Sequence, residues 1–88
     1  MRLLPVFDKV AMTSEEVEEQ VATIVQATVL KKVPRDTLLF ETGLLDSVGA
    51  VGLMLALEDA FGVPMPMTEV DEHLRSPAAI TEYVLARM

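Results

Sequence analysis

The sequence predicts a small all-α protein: a four-helix bundle of three main helices and a short third one, with a long first loop. Three stretches carry apolar residues at helical spacing, each opens on a capping signal, and Pro and Gly punctuate the connections between them. With 88 residues the chain has room for one domain and a modest core.

The first helix opens at Thr13-Ser14-Glu15-Glu16, where Thr13 and Glu16 form a capping box and the Glu residues between positions 15 and 19 suit the positive helix end. Val17, Val21, Ile24, Val25 and Thr28 repeat at helical spacing to about Leu30, and Lys31 and Lys32 suit the negative end. Residues 1–12 carry no helix cap and are read as an N-terminal tail before a domain spanning 13–88, with Met12 as an alternative start. Pro5, Asp8 and Lys9 interrupt their apolar run, so they do not read as a secretory signal.

Pro34 breaks the first helix and begins a long connection over residues 33–46, in which a short turn at Thr37-Leu38-Leu39-Phe40 is expected to drop Leu38 or Phe40 into the core. Loops of this length in compact domains are often functional. This one leads into Asp46-Ser47 and the most apolar segment of the chain. Ala50, Leu53, Met54, Leu57 and Phe61 form one helical stripe, the expected core face, while Val48, Val51 and Leu55 form a second beside it. So short a chain cannot wrap a helix completely, so the second stripe is expected to be a docking surface. Gly62 is placed to end this helix, and Pro64 and Pro66 prevent its continuation. Thr68 and Asp71 are expected to cap the short third helix, which carries Val70 and Leu74. Ser76-Pro77 opens the last helix, with Ile80, Tyr83, Val84 and, at the margin, Leu85 facing inward.

The composition narrows the function. Asp and Glu number 14 against 7 Lys and Arg, for a net charge of −7. That balance argues against nucleic acid, whose phosphates require clustered Lys and Arg, and favours partners with basic surfaces. Between Asp36 and Leu74 every charged residue is acidic, with Asp36, Glu41, Asp46, Glu58, Asp59, Glu69, Asp71 and Glu72 in that span. A solvated face that aids solubility is the plain explanation of such a run. Cysteine is absent, which is compatible with the cytoplasm and leaves any thioester chemistry to a thiol from a prosthetic group. No apolar run approaches a membrane span. His73, the single His, has neither a Cys nor a second His to work with, so it reads as a surface residue and no metal site is expected.

Ser47 has three readings. It is a helix cap in an acidic interaction module without a prosthetic group, a nucleophile paired with His73 in a small hydrolase, or an attachment point. The hydrolase lacks the Gly-x-Ser-x-Gly elbow around Ser47. An attachment point suits the position physically: a helix N-terminus offers unpaired N–H donors and partial positive charge to an anion, and Gly49 adds no side-chain bulk beside it.

Leu44-Leu45-Asp46-Ser47 followed by Val48 resembles the attachment motif of acyl and peptidyl carrier proteins. The longer string Thr42-Gly43-Leu44-Leu45-Asp46-Ser47-Val48-Gly49 is similar to D-alanyl carrier proteins in particular, and the likeness extends through Phe61-Gly62-Val63-Pro64 and Thr68-Glu69-Val70-Asp71. The resemblance implies a carrier, not an enzyme, with 4'-phosphopantetheine esterified to Ser47 beside Asp46. It implies a phosphopantetheinyl transferase, an adenylating ligase or acyltransferase, and downstream acyl-processing enzymes as partners of a cytoplasmic monomer. Val48, Val51 and Leu55 are then the docking residues, with Glu58, Glu69, Asp71 and Glu72 as an electrostatic rim. The chain departs from fatty-acid-synthesis carriers, which bear acidic residues in the two turns after the Ser, by placing Gly49 and Gly52 there. It departs from D-alanyl carriers by lacking a Trp between Asp71 and Pro77.

Overall fold

The computed structural model describes residues 13–87. These form helix α1 (Ser14–Val29), helix α2 (Ser47–Phe61), a 3-10 turn (Met67–Glu69) running into the short helix α3 (Val70–His73), and helix α4 (Pro77–Arg87). No strand occurs among the described residues, and α1 packs against both α2 and α4. The all-α bundle predicted from spacing is therefore the observed one. The N-terminal tail inferred from the sequence lies outside the described residues.

The expected capping box opens α1: the Thr13 N–H donates to Glu16 Oε1 at 2.9 Å and the Glu16 N–H to Thr13 Oγ1 at 3.2 Å. Val17, Val21 and Val25 are fully buried, while Ile24 and Thr28 lie half-buried at the edge of the stripe. The helix stops one residue earlier than its periodicity suggests. Leu30 is the cap, held left-handed at φ 62° with its N–H on the Gln26 carbonyl at 2.8 Å. A side chain in that backbone region costs roughly 1–2 kcal/mol. Lys31 and Lys32 consequently follow the cap, and the last turn of α1 contains no basic residue.

The connection to α2 is anchored at two points. Leu39 and Leu45 are buried, and the Leu45 N–H donates to the Leu39 carbonyl at 3.0 Å. Leu39, with no exposure, takes the core position expected of Leu38 or Phe40; Leu38 is 41% exposed and Phe40 packs half-buried on the core edge. The reason lies in the turn. Thr42 donates both its N–H and its hydroxyl to the Leu38 carbonyl, and the Gly43 N–H reaches Phe40 O with Gly43 at φ 79°. This coil turns Leu39 inward and lifts its neighbours. Two further bonds lash the loop to the far end of the chain: Leu39 N–H to Arg75 O at 2.7 Å and Ala78 N–H to Arg35 O at 2.8 Å.

In α2 the predicted core stripe buries Ala50, Leu53 and Leu57, with Met54 and Phe61 half-buried beside them. Gly62 ends the helix at φ 69°, with its N–H on the Glu58 carbonyl at 2.7 Å. Neither Thr68 nor Asp71 caps α3 as expected: Pro66 and Glu69 occupy the cap positions, and neither makes a side-chain capping bond. The segment is held by burial of Leu74 and partial burial of Val70 instead. Ser76 caps α4 through its Oγ, which accepts the Ala79 N–H at 3.1 Å, with Pro77 at the first helical position. Ile80, Tyr83 and Val84 are buried, but Leu85 is exposed and belongs to the outer face. The Tyr83 hydroxyl donates to Pro64 O at 2.7 Å, fastening α4 to the linker after α2.

Candidate functional site

Asp46, and not Ser47, caps α2. Its carboxylate accepts the Gly49 N–H at 2.7 Å, and its carbonyl accepts the Ala50 N–H at 2.8 Å. Ser47 is exposed at the first helical position, so its hydroxyl is not required for the cap. With Gly49 N–H taken by Asp46, the Ser47 and Val48 N–H groups remain without a helical acceptor. The first turn of α2 carries no acidic residue to neutralise its partial positive charge. Gly49 is fitted closely here: a Cβ would come within 3.1 Å of Leu45 Cδ1 and 3.2 Å of Asp46 Oδ1. That close approach, rather than room for an anion alone, is what the glycine supplies.

Ser47 borders a cavity of about 260 Å³ whose walls are Phe40, Ala50, Val51, Met67, Val70 and Asp71. The loop provides Phe40, α2 provides Ala50 and Val51, and the segment around α3 provides the rest. Phe40, Met67 and Val70 were not singled out for this site by sequence. Phe40 reads as a candidate for the core and Val70 as a residue of the short third helix, and Met67 sits in a Pro-rich connection without periodicity; only the folded loop brings them beside Ser47.

The second stripe of α2 is exposed, with Val48 at 80%, Val51 at 38% and Leu55 at 55%, and Met67 extends the apolar surface. Among the acidic residues of the expected rim, Glu58, Asp71 and Glu72 are exposed and Asp71 also borders the Ser47 cavity. Glu69 is half-buried and engaged by His73 Nε2 at 3.0 Å, while Glu72 lines a separate hollow with His73, Tyr83 and Arg87.

His73 is not the free surface residue expected. Its ring lies 4.2 Å from the Tyr83 ring, and the Arg87 guanidinium lies 4.0 Å from that ring's centroid. It does not border the Ser47 cavity, which removes the nucleophile–base pairing a hydrolase would need.

An exposed serine at a capped helix start, an apolar cavity at its side and an apolar strip along the same helix thus come together at the start of α2. Residues 15–84 match the family model described as a phosphopantetheine attachment site. The D-alanyl carrier protein of Bacillus velezensis is 44% identical over 57 residues, covering 65% of this chain and 72% of that protein. That of Lacticaseibacillus casei is 58% identical over 36 residues, 41% of this chain and 44% of the relative. That of Abiotrophia defectiva is 35% identical over 75 residues, 81% of this chain and 95% of the relative. The chain belongs to the phosphopantetheine-attachment family of carrier proteins. Within that family its relatives here are D-alanyl carrier proteins. It is a carrier and not an enzyme, with 4'-phosphopantetheine held covalently on a serine. Among the described residues no helix is long and apolar enough to cross a membrane.

Proposed function

We propose that Ser47 is the serine that bears 4'-phosphopantetheine, and that the group carried is an aminoacyl unit of the D-alanine class. The observation that carries the assignment is the exposed Ser47 hydroxyl at the first position of α2, with the cap supplied by Asp46. The residues fit the group: the Ser47 and Val48 N–H groups suit a phosphodiester, and Phe40, Val51, Met67 and Val70 offer apolar walls to an arm leaving Ser47. When bound, the group supplies a thiol at the end of a flexible arm, a function that a chain without cysteine cannot provide. The D-alanine class rests on the names of the relatives.

A phosphopantetheinyl transferase modifies the chain, an adenylating ligase or acyltransferase loads it, and acyl-processing enzymes unload it, all in the cytoplasm. Val48, Val51 and Leu55 form the contact strip, with Glu58 and Asp71 as the exposed acidic residues nearest to it. Glu69 and Glu72, oriented toward the His73 cluster, contribute to the field more than to contact. Intact mass after incubation with transferase and coenzyme A tests the attachment residue. Wild type should gain one phosphopantetheine and Ser47→Ala none; an Ala variant that is still modified would move the site elsewhere.

A further inference from the structure

The cavity beside Ser47 adjoins a second one. Phe40 and Asp71 border both, and the second, of about 370 Å³, adds Leu38, Glu41 and Arg75. The two cavities therefore lie side by side, with Ser47 on the border of one and Arg75 on the border of the other. The Leu39 N–H bonds to the Arg75 carbonyl at 2.7 Å, which ties the loop that carries Leu38, Phe40 and Glu41 to Arg75. Arg75 is the single Lys or Arg between Asp36 and Ala86. It forms no ion pair among the described residues, although Glu41 and Asp71 border the same cavity.

We infer that this second cavity shelters the terminal aminoacyl group of the loaded carrier, an inference that rests on Ser47 being the attachment residue. The chemistry of the walls selects the group. Leu38 and Phe40 are apolar and suit a small aliphatic side chain. Two carboxylates against one guanidinium leave the mouth net negative, which favours an ammonium and disfavours a carboxylate. The guanidinium has donors for an acyl carbonyl but no acceptor for the ammonium. A neutral acyl group of the same size finds the walls and the carbonyl donor but leaves both carboxylates unused. These charges are exposed, so the preference is modest: pairing at exposed sites corresponds to an occupancy advantage of about two- to five-fold.

The test uses the full chain modified by a phosphopantetheinyl transferase from two coenzyme A analogues. In each the terminal thioester is replaced by a stable amide, of D-alanine in one and of propionate in the other. Intact mass reads attachment, and backbone and side-chain NMR shifts read the cavity. The D-alanyl form should perturb Leu38, Phe40, Glu41 and the Arg75 Nε–H more than the propionyl form does. The double variant Glu41→Gln/Asp71→Asn, modified in the same way, should erase that difference. Equal perturbation by both analogues, no perturbation beyond the Ser47 cavity, or a difference that survives the double variant overturns the sheltering while leaving the attachment residue intact. Failure of the wild type to gain mass, or gain by Ser47→Ala, overturns both.

Discussion

Gly49 and Gly52 are one turn apart on α2, yet they answer to different constraints. A glycine inside a helix ordinarily costs about 0.5–1 kcal/mol relative to alanine. At Gly52 nothing lies within 4 Å of where a Cβ would sit, so Gly52→Ala should recover that amount. At Gly49 a Cβ presses on Leu45 and on the Asp46 oxygen that closes the helix cap, and the buried Leu45 side chain has little room to give. Gly49→Ala should therefore gain less than Gly52→Ala, or lose stability, in urea unfolding at neutral pH. Equal stabilisation by the two would show that the close fit around Gly49 has no energetic weight. The division of labour between Asp46 and Ser47 belongs to the same scale. Both are favoured helix caps, so composition alone left Ser47 with a structural alibi; only the backbone geometry assigns the cap to Asp46.

At the scale of elements, α2 presents two apolar stripes with opposite fates. Leu53, fully buried, belongs to the core, and Leu53→Ala should cost about 2–5 kcal/mol through lost burial and the cavity left behind. Val51 is 38% exposed, so Val51→Asp should fold and yet lose processing by partner enzymes, by about 1–3 kcal/mol of binding if it is a contact hot spot. A Val51→Asp protein that unfolds, or that every partner processes at the wild-type rate, removes the docking role. The loop makes a parallel pair. Leu39→Ala should destabilise by about 2–5 kcal/mol, whereas Leu38→Ala, at an exposed position, should stay within about 0.5 kcal/mol. Reversed magnitudes in denaturant unfolding would contradict the packing of this turn.

These helices were legible because 3.6-residue periodicity and capping chemistry are local; the boundaries of α1, α2 and α4 follow from Thr13, Gly62 and Ser76. The loop was not. Three apolar residues in a row, Leu38-Leu39-Phe40, carry no periodicity, and the choice among them is made by Thr42 and Gly43 folding back and by Arg75 from the other end of the chain. The surroundings of His73 are illegible for the same reason, since Tyr83 reaches it from α4, with Arg87 against the Tyr83 ring.

Over the whole molecule, the charge of −7 acts at a distance that no single contact covers. Fields from exposed carboxylates steer a basic partner during encounter, and they are screened beyond about 8 Å at physiological ionic strength. Glu58 and Glu72 are exposed and pair with no basic residue among the described ones, so their contribution lies in this field. The second-order rate of modification by a phosphopantetheinyl transferase should then fall as salt is raised. The double variant Glu58→Gln/Glu72→Gln should be slower at low salt and converge on the wild type near 1 M, where the screening length is about 3 Å. Val51→Asp provides the contrast, because a lost apolar contact persists at every ionic strength. A gap between the Gln variant and wild type that survives high salt would mean that the two carboxylates make specific contacts. A modification rate indifferent to salt would mean that the acidic face plays no part in the encounter.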